Sequence, residues 1–138
     1  MKIMKIIKNI LLLFLVLILS YFFSVYFGNL YKIITHDHGT WIDLSSIVGI
    51  HYGYVFFLLF IFTAFGDSKK YWWIGILFIP TLIFETYFDL RYQYIYIPIV
   101  IGLIGWVIGF VISKIIDKLK TIKSRKQRAR TNNNLYNR

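Results

Sequence analysis

SSIVGIHYGYVFFLLFIFTAFGDSKKYWWIGILFIPTLIFETYF, residues 45–88, holds two long apolar runs joined by a short lysine-bearing turn. The first run, 45–65, contains no Asp, Glu, Lys or Arg. At 1.5 Å per residue it reaches about 31 Å as a helix, enough for one crossing of a bilayer's hydrocarbon core. Gly66, Asp67, Ser68, Lys69 and Lys70 have turn composition, and 71–88 supplies a further run. Pro80 lies in the middle of that run. A proline there removes one intrahelical bond, so the carbonyl of Ile76 needs a neighbouring helix or water, and the helix bends without breaking.

The same pattern continues on both sides. Upstream, Lys2, Lys5 and Lys8 precede an apolar run over about 10–30, interrupted only by Ser20, Ser24, Gly28 and Asn29. That run is longer than a signal-peptide core, and bulky Tyr21, Phe22 and Phe23 stand where a cleavage site needs small residues. It reads as an uncleaved span. Downstream, a fourth run covers about 94–113, with Pro98 tolerable in its first turn. The fold class expected is all-α: an integral membrane four-helix bundle over residues 1–118, with short connections that make sequential helices antiparallel neighbours. A basic, partly disordered tail follows over 119–138.

Composition agrees with lipid as the solvent. Hydrophobic residues make up 58% of the 138, above the 45–50% or so usual in soluble domains, and the mean hydropathy is +0.63. The chain has no cysteine, which excludes disulfides and thiolate metal sites. With both termini cytoplasmic, fourteen lysines and arginines fall inside and only Lys32 and Arg91 outside, a strong positive-inside bias. The expected location is the plasma membrane. Aromatic residues flank the runs as interfacial belts do: Tyr31, Trp41, Tyr71, Trp72, Trp73, Tyr92, Tyr94 and Tyr96. The net charge of +10 sits at the ends of apolar runs, so anionic lipid headgroups, and not nucleic acid, are the expected partner. The residues expected to meet them are Lys118, Lys120, Lys123, Arg125, Lys126, Arg128 and Arg130.

The titratable residues cluster on the outer side. Glu85 and Asp89 are four apart, on one face of a continuing helix, and like charges there call for a cation, a proton or Arg91 between them. His51 lies about two turns into the second run. An ionisable group inside a span is expensive and faces a bundle interior or polar cavity, so His51, Glu85 and Asp89 form the candidate ion or proton site. His36 and His38 flank Asp37 and offer a ligand set suited to Zn, Ni or Fe, although a solvated loop accounts for the triplet as well. No resident cofactor is expected.

Small residues recur at Ser46, Gly49 and Gly53 and again at Gly102, Gly105 and Gly109, two stripes that allow close backbone approach. One is able to close the bundle and the other to join protomers. No metalloprotease, nucleophile-elbow or phosphate-loop motif occurs, so no enzyme activity is expected. Two roles follow. The first is a non-enzymatic subunit or scaffold, assembling as a homo-oligomer or with another membrane protein through its glycine faces. The second is a small proton- or cation-conducting transporter or channel built on the outer His, Glu and Asp residues.

Overall fold

A computed structural model describes the backbone over residues 2–35, 45–66, 69–88 and 96–136, and side chains over 3–34, 45–66, 69–83 and 96–127. The described residues form four helices: α1 (Lys2–Thr35), α2 (Ser45–Phe65), α3 (Lys70–Phe88) and α4 (Tyr96–Tyr136). Three are long and apolar enough to cross a membrane, over Ile3–Ile34, Ser45–Phe65 and Tyr96–Gln127, which suggests a membrane protein. The described apolar part of α3, Lys70–Ile83, is shorter.

Two helices run well past their apolar runs. α1 begins at Lys2 and reaches Thr35, and α4 continues without a break from the apolar run ending near Ser113 to Tyr136. Residues 114–130 contain no Gly or Pro, and eight of them are Lys or Arg, good helix formers, so nothing in them stops a helix already nucleated upstream.

The architecture is a hub with three neighbours. α2 packs extensively against α1 and α4 and more lightly against α3. In its most apolar window 67% of residues are buried, against 17% for α1 and 22% for α4. Side-chain pairings set the directions. Gly28, Ser24 and Ser20 of α1 meet Ser45, Gly49 and Gly53 of α2, so these helices are antiparallel. Gly105 and Gly109 of α4 meet Phe56 and Phe60, so α4 runs parallel to α2. Tyr54 bonds to Leu77, and Lys70 to Thr63, making α3 antiparallel.

The seams are made by close backbone approach. A methyl group at Gly49 would overlap the Ser24 carbonyl oxygen and stand 2.8 Å from the Gly28 nitrogen, and one at Gly28 would stand 2.5 Å from the Ser45 carbonyl oxygen. On the other face of α2, a methyl at Gly105 or Gly109 would stand 2.5 Å from the carbonyl oxygens of Phe56 and Phe60 respectively. Gly102 meets side-chain ends, those of Leu59 and Val55. Ser46 is exposed and plays no part; the α2 positions in the first seam are Ser45, Gly49 and Gly53, at four-residue spacing. Both stripes therefore spend their small-residue faces within one chain.

Aromatic rings fill the remaining space between α1 and α2. Phe23, Phe27 and Tyr31, one every four residues, meet Phe57, Phe56 and Tyr52 with centroid separations of 5.4, 5.7 and 6.2 Å. These are the tilted and edge-on arrangements that ring quadrupoles favour. One core cluster centres on Val16, Phe57, Leu58, Ile61 and Phe62, and a second joins Val48 and Tyr52 to Ile97 and Ile101.

Gly49→Ala and Gly105→Ala should each destabilise the fold by about 1–3 kcal/mol, the usual cost of overpacking. Gly75→Ala, whose added methyl meets nothing within 4 Å, should cost nothing. Denaturant titration of the detergent-solubilised chain, followed by circular dichroism, measures all three; equal stability across the set would mean that the seams are not close-packed.

Candidate functional site

The candidate site forms where α3 leans on α2. Tyr54 projects from α2 and donates its hydroxyl proton to the Leu77 carbonyl at 2.7 Å. Leu77 is the residue after Ile76, whose carbonyl loses its partner to the Pro80 ring. Pro80 and Tyr54 thus act on the same turn of α3: the Ile76 carbonyl lacks its helical donor, and the neighbouring Leu77 carbonyl accepts from Tyr54.

Beside this bond lies a cavity of about 270 Å³. Leu17 and Ser20 of α1, Ile50, His51 and Tyr54 of α2, and Pro80 and Thr81 of α3 are among its walls. The lining is mainly hydrocarbon with four polar groups set into it. The Ser20 hydroxyl is committed, donating to the Val16 carbonyl at 2.6 Å, the local bond a serine makes inside a helix. Thr81 differs: it is 3% exposed and its hydroxyl oxygen has no partner within the protein. The side-chain oxygens of Asn9 and Thr63, nearer the other end of the bundle, are likewise buried without partners.

His51 is 6% exposed, lines the cavity and sits 5.9 Å from the Tyr52 ring. Glu85 follows Thr81 by one turn of α3; its side chain, together with Asp89, lies outside the described residues. His36 and His38 also lie outside them. Among the described residues no group of three His, Cys, Asp or Glu is placed to hold a metal. Of the basic residues expected to meet lipid, Lys118, Lys120, Lys123, Arg125 and Lys126 are exposed on α4, while the side chains of Arg128 and Arg130 fall outside the described set.

Three features escaped the reading of the sequence. Ser20, Ser24 and Gly28 stand at four-residue spacing on α1 and are the counterpart of the α2 glycines; the spacing was visible, but two serines in an apolar run read as interruptions. Thr81 gives no signal beside the more conspicuous Pro80. Lys8, Lys70 and Lys120, which meet around one cavity, are 50 or more residues apart in sequence, and only the helix directions bring them together.

No protein-family model, no curated protein and no solved structure matches the chain. The geometry alone carries the functional reading.

Tyr54→Phe should cost about 0.5–1.5 kcal/mol, the net worth of one hydrogen bond. Thr81→Val should leave stability unchanged or raise it, because it removes a buried hydroxyl without a protein partner. The same unfolding assay compares them; a loss on Thr81→Val as large as that on Tyr54→Phe would mean that the hydroxyl is bonded to something held in the cavity.

Proposed function

We propose that the chain crosses the membrane four times with both ends on the cytoplasmic side, and serves as a non-enzymatic membrane subunit or scaffold. The four crossings are supported by helix direction. Because α4 runs parallel to α2, the chain must return across the bundle between Phe65 and Tyr96, and α3, whose 19 residues span about 28 Å as a helix, is the segment available to do so. The orientation is supported by charge: Lys8, Lys70 and Lys120 gather at one end of the bundle, and cytoplasmic flanks are the cationic ones.

The assembly role rests on the outward face of α1. Tyr21, Phe22 and Tyr26 are 70, 69 and 71% exposed there. Tyr21 stands level with Tyr52, near the middle of α2, so its hydroxyl lies deep in the hydrocarbon layer on a face turned away from the bundle. A hydroxyl at that depth needs an acceptor that lipid tails do not supply. A helix of a second copy, or of another membrane protein, supplies it. The glycine stripes do not serve this purpose, since they are spent on α1–α2 and α2–α4 packing.

A second reading, an outward-facing proton or cation conductor, draws its support from buried His51 at the cavity wall with Glu85 one turn beyond Thr81. It requires proton or cation flux into liposomes that Glu85→Gln abolishes, and a parent protein without flux removes it.

Light scattering of the purified chain should give at least twice the 16.5 kDa of one copy. Tyr21→Phe should weaken that association about threefold to thirtyfold, an interhelical hydrogen bond in lipid being worth about 0.6–2 kcal/mol. A monodisperse single copy indifferent to Tyr21→Phe would argue against self-assembly. The absence of native cysteine lets topology be read directly: Arg91→Cys should be labelled from outside the cell and Lys69→Cys should not.

A further inference from the structure

α2 ends at Phe65, while α1 and α4 continue beyond it on either side, so the hub helix is missing from the last turns of its own bundle. The gap it leaves is a cavity of about 380 Å³. Gly66 lies at its floor, its N–H donating to the Phe62 carbonyl at 2.9 Å. Three lysines from three different helices line it: Lys8 of α1, Lys70 of α3 and Lys120 of α4. Ser113 and Asp117 of α4 complete the polar lining, leaving an excess of two positive charges.

Lys70 is held in place. Its ammonium donates to the Thr63 carbonyl at 3.0 Å, satisfying one of the acceptors left over in the last turn of α2, and stands 5.5 Å from the centre of the Tyr71 ring. An ammonium carries three donors, so this bond orders the group and leaves two for a ligand. Lys8 and Lys120 are exposed and line the cavity from α1 and α4. The lysines therefore share a cavity polar enough to receive a compact anion. It opens at the cationic end of the bundle, beside apolar helix faces that extend to Lys114 and beyond.

We propose that this cavity is a site for the phosphodiester of an anionic phospholipid whose headgroup carries free hydroxyls, phosphatidylglycerol being the simplest. Lys8, Lys70 and Lys120 receive the phosphate, the Ser113 hydroxyl donates to it, and the acyl chains lie along the neighbouring helices. Asp117 sets the headgroup preference: its carboxylate accepts from a glycerol hydroxyl and repels the second negative charge of a phosphomonoester, so phosphatidylglycerol is preferred to phosphatidate. Because each lysine comes from a separate helix, the ligand binds only the assembled bundle and stabilises it by mass action. The inference rests on the membrane placement proposed above but not on self-assembly.

The test uses the full chain in detergent, titrated with short-chain phosphatidylglycerol, phosphatidate and phosphatidylcholine, and separately with inorganic phosphate and glycerol 3-phosphate. The readout is the lipid-dependent rise in unfolding temperature, together with bound lipid per protein copy by native mass spectrometry. Saturable binding of one phosphatidylglycerol per copy is expected, with phosphatidylcholine far weaker. Replacing two lysines together, Lys8→Gln with Lys120→Gln, should weaken it about thirtyfold, each lysine at such a surface counting for roughly a fivefold change. Lys123→Gln with Lys126→Gln removes the same charge from the exposed tail and should change affinity less than threefold. Asp117→Asn should narrow the preference over phosphatidate. Equal losses in the two double variants would reduce the effect to diffuse attraction between lysines and lipid and overturn the site. Equal affinity for inorganic phosphate or glycerol 3-phosphate would make it an anion hole for soluble ligands and overturn the lipid assignment. The stoichiometry is read per copy, so a single-copy protein that binds lipid refutes self-assembly alone, whereas an oligomer without the selective site refutes this inference alone.

Discussion

Close approach of backbones along α2 is the constraint on which the rest of the structure depends. Lipid tails are as apolar as leucine, so helices in a membrane gain little by hiding hydrocarbon from one another, and packing and polar bonds hold them together. α2 meets that condition on two faces at once. Gly49 admits the Ser24 carbonyl of α1, and the carbonyls of Phe56 and Phe60 are admitted by Gly105 and Gly109 of α4. In one seam α2 supplies the missing side chain, and in the other it supplies the protruding carbonyl. The hub is buried because both neighbours come this near. α3 has no such seam; its one glycine, Gly75, faces open space, and it is tied to α2 by Tyr54 and Lys70 instead. This difference explains why the lighter interface is also the one that encloses a cavity.

The helices were legible because apolar runs need no tertiary information: 45–65 is helical from end to end, the runs at 10–30 and 71–88 lie inside longer helices, and the fourth run is helical from Tyr96 onward. The glycine stripes were legible as positions of close approach but not as pairs. A repeat of small residues says that something comes near and is silent on what, and the partner of Gly49 is a serine carbonyl that no composition reveals. Helical phase also eluded the pattern by one residue. Ser45 and Ser46 are equivalent by type, and only the meeting with Gly28 selects the first. Of the outer cluster, His51 is described and is buried; the partner residues that the sequence proposed for it lie outside the described set.

Polar chemistry divides between two levels of the bundle, one beside Pro80 and one beyond the end of α2. Pro80 lines an apolar cavity together with Tyr54, His51 and Thr81, and Tyr54 donates to the Leu77 carbonyl of the same turn of α3. Pro80 leaves the Ile76 carbonyl without its helical donor at the level where Tyr54 bonds the next carbonyl, that of Leu77.

At the other end the governing fact is helix length. α1 and α4 outrun α2, so Lys8, Lys70 and Lys120 are not spread around a closed bundle but converge on the space beyond the last turn of α2. Like charges brought together this way repel, and the arrangement is stable only if something offsets them. Asp117 offsets one, and the Thr63 carbonyl draws the Lys70 ammonium inward. Two positive charges remain in excess among the residues that line the cavity. A truncated hub thereby gathers lysines that are far apart in the sequence around one cavity. Lengthening α2 by two turns would fill that cavity and leave the same lysines as mere surface charge.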